Sequence, residues 1–78
     1  MAVSRNRIFE IIEAELEVDP GTVSLDVDLE NLGVTSPDLL EIALAIEEEF
    51  GMEIPDKDLS GFQKVDDIVA YVEEREDA

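Results

Sequence analysis

The 78 residues include 22 acidic and 5 basic side chains, a formal net charge of −17 at pH 7, with no cysteine and no histidine. This length predicts one small domain, and the missing residue types exclude disulfides, thiolate metal sites and Ser-His catalysis. The negative charge argues against nucleic acid as a partner, because phosphate backbones demand Lys and Arg, and against docking on anionic membranes. Hydrophobic residues still make up 45% of the chain, so we expect a folded domain whose surface charges repel one another.

The first predicted helix runs from about Ser4 to Glu17. Its apolar side chains recur at helical spacing; they are Ile8, Phe9, Ile11, Ile12 and Leu16. Ser4 is a suitable N-cap, and Asp19-Pro20-Gly21 has the composition of a turn that ends the helix.

A long connection follows over residues 18–35. Its apolar residues alternate with polar ones; they are Val23, Leu25, Val27, Leu29 and Leu32. Alternation is typical of a strand, but a single strand would leave its backbone without a partner. We therefore expect an extended loop anchored on the helices by these side chains.

The acidic pair Asp26 and Asp28 in this connection does not begin a calcium-binding EF-hand loop. Counted from Asp26, the sixth position is Asn31 instead of Gly, and the twelfth is Pro37 instead of Glu. No metal site is predicted.

The second helix is predicted over Ser36–Phe50. Thr35 and Asp38 form a Thr-x-x-Asp capping pattern, Pro37 suits a first helical turn, and Gly51 suits the position after the last turn.

A short helix is predicted at about Asp56–Ser60, and a last helix at about Val65–Glu74. The tail, residues 73–78, is expected to fray. The apolar face of the last helix consists of Val65, Ile68, Val69 and Val72, with Tyr71 at its margin. The expected fold is all-α, with three main helices, one short helix and a long loop between helices 1 and 2.

The second helix divides into two faces when its residues are placed at about 100° intervals. The core stripe consists of Leu39, Ile42, Ala43, Ile46 and Phe50. Leu40 and Leu44 lie outside this stripe, and the acidic residues around them are Glu41, Glu47 and Glu48. These leucines either widen the buried stripe below a solvated acidic face, or form the apolar centre of a surface that attracts a basic partner.

Ser36 stands at the start of this helix, where a serine most often only caps the helix. Its hydroxyl would also lie at the positive end of the helix dipole, where a phosphate ester would meet free N–H groups. The position suits a phosphodiester. It does not suit a hydrolase nucleophile, because no histidine is present to deprotonate the hydroxyl.

Three segments together resemble the acyl carrier protein family. They are Leu32-Gly33-Val34-Thr35-Ser36, Ile46-Glu47-Glu48-Glu49-Phe50-Gly51 and Glu53-Ile54-Pro55-Asp56. The family pattern is Leu-Gly-x-Asp-Ser-Leu, a helix ending in Glu-Glu-Glu-Phe, and an Ile-Pro-Asp turn; residues 65–72 are similar to the family's last helix. The resemblance therefore covers nearly the whole chain.

This resemblance implies a small four-helix bundle, a single domain over residues 1–78, and a 4′-phosphopantetheine arm on Ser36. The thiol of the arm carries acyl groups as thioesters to enzymes of fatty acid or related lipid and polyketide biosynthesis. The chain is then a carrier and not a catalyst, because the cofactor supplies the sulfur chemistry that a chain without cysteine lacks.

The resemblance also implies a set of partner-contact residues. The acidic ones are Asp38, Glu41, Glu47, Glu48 and Asp56, and the apolar ones are Leu40 and Leu44. The implied partners are acyl-transfer, synthase and phosphopantetheinyl transferase enzymes with basic surfaces. Thr35 and Pro37 depart from the family pattern, which has Asp before the serine and Leu after it, and they favour a specialised carrier.

Two other functions remain open from the sequence: an unmodified acidic helical module that binds basic partners, and a carrier of amino or hydroxy acids. Like-charge repulsion predicts a monomer. The start of the chain does not resemble a signal peptide, and no apolar run approaches the roughly 20 residues of a membrane span. We expect a cytoplasmic protein without membrane insertion.

Overall fold

The computed structural model describes residues 5–77, with side chains up to residue 75. In chain order this range contains α1 (Arg5–Leu16), a 3₁₀ helix (Glu30–Leu32), α2 (Ser36–Phe50), α3 (Asp56–Leu59) and α4 (Val65–Asp77). The prediction of three main helices and one short helix, with a long loop after the first, is confirmed. The proposed cap Ser4 lies outside the described residues.

The last helix extends further than the sequence analysis predicted. We expected α4 to end near Glu74, but the helix continues to Asp77; fraying of residues 73–78 stays a prediction. Arg75 supports this last turn, because its guanidinium lies 4.1 Å from the centre of the Tyr71 ring, one turn earlier. Such a cation–π contact between residues four apart stabilises a helix locally.

One core holds the bundle together and receives side chains from every α-helix and from the long connection. The fully buried members with the largest side chains are Ile8, Ile12, Ile42, Ile46, Val65, Ile68, Val69 and Val72. In α2, the predicted stripe faces this core: Ile42, Ala43 and Ile46 are buried, and Leu39 and Phe50 are half-buried against it.

The long connection is anchored as predicted, with Val23 and Leu29 buried in the core. Its backbone also finds a partner, because the Leu29 N–H donates to the Gln63 carbonyl over 2.8 Å. The Val65 N–H in turn donates to the Val27 carbonyl over 3.0 Å. This short pairing explains the strand-like alternation, and it brings residues 28–30 beside residues 62–63.

A buried carboxylate fixes the start of the connection. Glu13 is only 8% exposed, and its Oε2 accepts hydrogen bonds from the backbone N–H groups of Gly21 at 2.9 Å and Val23 at 3.3 Å. This role is not predictable from the sequence, because nothing local distinguishes Glu13 from the other acids of α1.

The arginines of α1, whose partners the sequence did not indicate, link this helix to its neighbours. Arg5 pairs with Glu73 of α4 over 2.8 Å, and Arg7 pairs with Glu49 of α2 over 2.9 Å. None of the helices within residues 5–77 is long and apolar enough to cross a membrane.

Candidate functional site

The N-terminus of α2 is capped by Thr35, not by Ser36. The Thr35 Oγ1 accepts a 3.3 Å hydrogen bond from the Asp38 N–H, and the Asp38 carboxylate accepts a 3.1 Å bond from the Thr35 N–H. This reciprocal pair is the capping box that the sequence predicted. Because Thr35 performs the capping, the interpretation of Ser36 as only a cap is wrong.

The expectation of free N–H groups around Ser36 holds for one group only within residues 5–77. A helix begins with four backbone groups that lack intrahelical partners. Here the capping box uses the N–H groups of Thr35 and Asp38, and Pro37 has none. Within residues 5–77, only the Ser36 N–H is left at this helix end to donate to a phosphate.

Ser36 is the first residue of α2, and its side chain is exposed. Its hydroxyl makes no hydrogen bond within the part of the chain that the structure describes. It lines a cleft of about 520 Å³. The apolar residues of this cleft are Leu29, Val34, Leu39 and Phe62. The site therefore combines a free hydroxyl with a neighbouring cleft whose lining is partly apolar and partly polar.

Phe62, one wall of this cleft, packs against a polar cluster between α3 and α4. The Phe62 and Tyr71 rings meet edge to face, with centroids 5.5 Å apart, and the Tyr71 hydroxyl donates to the Asp58 carboxylate over 2.7 Å. Partial burial and this hydrogen bond raise the pKa of the Tyr71 phenol above its ordinary value, against the opposing effect of Arg75. The hydrogen bond to Asp58 therefore keeps the protonated Tyr71 ring in contact with Phe62.

The outer face of α2 carries the two large hydrophobic side chains that are exposed within the described residues. Leu40 is 47% exposed and Leu44 is 56% exposed, so they do not widen the buried stripe. Glu41 and Glu48 on the same helix are exposed, as is Asp56 at the start of α3. The carboxylates of these three residues make no hydrogen bond or ion pair with any residue in the 5–77 range.

Two other acids predicted as partner contacts have bonds inside the chain. Asp38 belongs to the capping box, and the Glu47 Oε2 accepts a 2.6 Å hydrogen bond from the Ile54 N–H. The Glu47 bond ties the end of α2 to the segment that leads into α3. Both side chains are half-buried, so the structure separates them from Glu41, Glu48 and Asp56.

Four further residues line the cleft beside Ser36, and no local signal in the sequence indicates them. Phe62 and Gln63 come from the turn before α4, and Asp28 and Glu30 come from the long connection. The backbone pairing of these two segments and their shared core packing bring them together, and no motif in either segment indicates it. In the range that the structure describes, no group of three or more His, Cys, Asp or Glu side chains is arranged to hold a metal ion.

Comparison with known proteins places these features in a family. Residues 6–72 match the family described as "Phosphopantetheine attachment site". The chain is 39% identical over 70 residues to an acyl carrier protein of Clostridium perfringens, covering 88% of this chain and 92% of that protein. It is 41% identical over 70 residues to an acyl carrier protein of Solidesulfovibrio magneticus, covering 88% of this chain and 90% of that one.

A solved structure agrees with these sequence matches. The crystal structure of an acyl carrier protein from Thermotoga maritima superposes with a TM-score of 0.77 at 27% identity, covering 92% of this chain and 87% of that chain. The chain belongs to the acyl carrier protein family. It is a carrier of acyl groups whose cofactor is a covalently attached 4′-phosphopantetheine. These findings do not favour an unmodified acidic module.

Proposed function

We propose that Ser36 is the residue that bears the phosphopantetheine arm. The observation that supports this assignment most strongly is that its hydroxyl is exposed and free of hydrogen bonds within residues 5–77, while Thr35 performs the capping. The residues around it fit the group: the Ser36 N–H and the positive end of the α2 dipole would favour a phosphodiester there, and the cleft offers four apolar side chains among its polar ones. When bound, the arm supplies the thiol on which acyl groups are held as thioesters.

A loading experiment tests the assignment. Apo protein is incubated with a broad-specificity phosphopantetheinyl transferase and coenzyme A, and intact mass is measured. Wild type is expected to gain one arm and Ser36→Ala none. Ser24→Ala removes another exposed serine and is expected to load like wild type. Loading of Ser36→Ala, or no loading of wild type by any transferase tried, contradicts the assignment.

The outer face of α2 is the proposed docking surface for partner enzymes. Leu40 and Leu44 form its apolar centre, and the carboxylates of Glu41, Glu48 and Asp56 are free to attract Arg and Lys. Electrostatic attraction of this kind mainly raises the association rate and weakens in salt. The proposed partners are therefore synthase, acyl-transfer and phosphopantetheinyl transferase enzymes with basic surfaces.

Charge reversal tests this surface. Glu41→Lys and Glu48→Lys are expected to lower the rate of transfer to a partner roughly two- to tenfold at low ionic strength, and to approach wild type in high salt. Glu15→Lys makes the same charge change at an exposed position of α1 and serves as the control. Equal effects of all three variants would show that net charge matters and that the face does not.

The remaining features follow from the same proposal. The chain performs no chemistry itself and delivers acyl intermediates to enzymes of fatty acid, related lipid or polyketide biosynthesis. We propose one domain over residues 1–78, because a single core joins residues from Ile8 to Val72, and a monomer, because a net charge of −17 opposes self-association. A cytoplasmic location stays a prediction from the sequence.

A further inference from the structure

The first turn of α2 depends on two side chains that flank Ser36 and Pro37. Thr35 and Asp38 exchange hydrogen bonds of 3.3 Å and 3.1 Å through side chain and backbone. The Leu39 N–H then donates to the Thr35 carbonyl over 2.9 Å, which starts the regular helix. Ser36 takes part in none of these bonds, so its position depends on the residues on either side.

Pro37 acts against the helical conformation of the serine before it. A proline ring clashes with the preceding residue when that residue is helical, and it shifts the residue toward extended geometry. Ser36 is nevertheless the first helical residue of α2. The capping box is the local interaction that opposes this shift, because it joins residues 35 and 38 across the Ser36-Pro37 pair.

From this arrangement we infer that Thr35 and Asp38 are positioning residues for modification of Ser36, with their reciprocal hydrogen bonds keeping the serine in the first turn of α2 against the preference of Pro37. The inference rests on Ser36 being the attachment residue. The carboxylate of Asp38 acts on the chain's own backbone, whereas that of Glu41 is free for a partner enzyme.

Paired substitutions at Asp38 separate these roles. Asp38→Ala removes the acceptor for the Thr35 N–H and is expected to lower kcat/KM for loading by a phosphopantetheinyl transferase with coenzyme A about fivefold, the typical effect of a lost cap. Asp38→Asn keeps an acceptor oxygen without the charge and is expected to stay within about twofold of wild type. Thr35→Val removes the capping hydroxyl and is expected to lower this kcat/KM as well. Thr35→Ser keeps the hydroxyl and is expected to stay near wild type.

A second readout does not depend on loading. The Cα chemical shift of Ser36 in apo protein reports its helical population, which is expected to fall in Asp38→Ala and Thr35→Val and to stay near wild type in Asp38→Asn and Thr35→Ser. In a Pro37→Ala background, Asp38→Ala is expected to change this shift less, because the opposing preference is gone.

Two results overturn the inference. In the first, Asp38→Asn is loaded as slowly as Asp38→Ala, which makes Asp38 a charge contact for the enzyme. In the second, the Cα chemical shift of Ser36 is unchanged in Asp38→Ala. Glu41→Gln is the matched control, expected to slow loading mainly at low salt without moving the Ser36 shift. If wild type is not loaded at all, the attachment assignment fails, and the chemical shifts still decide whether the capping box positions Ser36.

Discussion

The hydroxyl of Tyr71 in α4 donates a 2.7 Å hydrogen bond to the carboxylate of Asp58 in α3. Because α3 is only four residues long, it has few contacts of its own to hold it in place. The bond therefore ties α3, the shortest of the α-helices in the described range, to α4.

Removing that hydroxyl is expected to weaken the fold. Tyr71→Phe keeps the ring contacts with Phe62 and Arg75 but loses the bond to Asp58. A hydrogen bond to a charged group contributes about 1.5–3 kcal/mol, less when partly exposed, so we expect the free energy of unfolding to fall by about 1 kcal/mol. Urea denaturation at pH 7 measures this change. Unaltered stability would show that α3 does not depend on the bond.

The same group predicts behaviour at alkaline pH. Partial burial, with the bond to Asp58, raises the pKa of Tyr71 in the folded state, so folding favours the protonated phenol. Its contribution is complete below the unfolded pKa of about 10 and is lost as pH rises through the folded pKa. Wild type should therefore lose more stability than Tyr71→Phe above about pH 10. Equal losses of stability in wild type and Tyr71→Phe would contradict the raised pKa of Tyr71.

Protonation of the Asp67 carboxylate is expected to lower the stability of the fold in acid. Its carboxylate accepts hydrogen bonds from the Gln63 N–H at 2.8 Å and the Lys64 N–H at 3.0 Å, and these bonds lower its pKa. This contribution is present above the unfolded pKa of about 3.9 and is lost as pH falls through the folded pKa. NMR titration of the side-chain carbonyl should give Asp67 a lower pKa in the folded protein than in the urea-unfolded protein. Equal values would mean that the bonds do not form in solution.

Glu17, the residue directly after α1, has a left-handed conformation with φ of 56°, in which glycine has no steric cost. A left-handed conformation costs an L residue about 1–2 kcal/mol, and the greater freedom of glycine in the unfolded chain offsets part of that gain. Glu17→Gly is therefore expected to raise the free energy of unfolding in urea by about 0.5–1 kcal/mol. Glu17→Gln removes the charge but keeps the strain and serves as the control. Gly51 offers the reverse test, because its φ is 64° and an added Cβ would meet nothing within 4 Å. Gly51→Ala should therefore lower the free energy of unfolding through backbone conformation alone.

Leu44 and Ile46 lie two residues apart on opposite faces of α2, one 56% and the other 0% exposed. Ile46→Ala is expected to cost about 2–5 kcal/mol of folding free energy, as core truncations do. Leu44→Ala is expected to change it by less than about 0.5 kcal/mol and to weaken partner binding instead. Equal destabilisation of the two variants, measured by urea denaturation, would place Leu44 in the core.

Sequence signals located α2 well because they are local. The ends of α2 are marked by Thr35, Asp38 and Gly51, which lie within a few residues of the helix termini that they cap. The helical period separates Leu40 and Leu44 from the core. The hydrogen-bond partners of Glu13 and the contact between Phe62 and Tyr71 were not predictable, because both depend on segments that meet only in the folded bundle. The N–H groups at Ser36 differ from expectation for another reason: the capping box uses two of them and Pro37 has none, an effect of three residues acting together.

Intact mass of the protein purified from its own cells tests the attachment of the arm most directly. We predict a mass above that of the polypeptide by one phosphopantetheinyl group, located on Ser36 by fragmentation and absent from Ser36→Ala. A mass equal to the polypeptide alone, or an arm on another residue, would contradict the assignment.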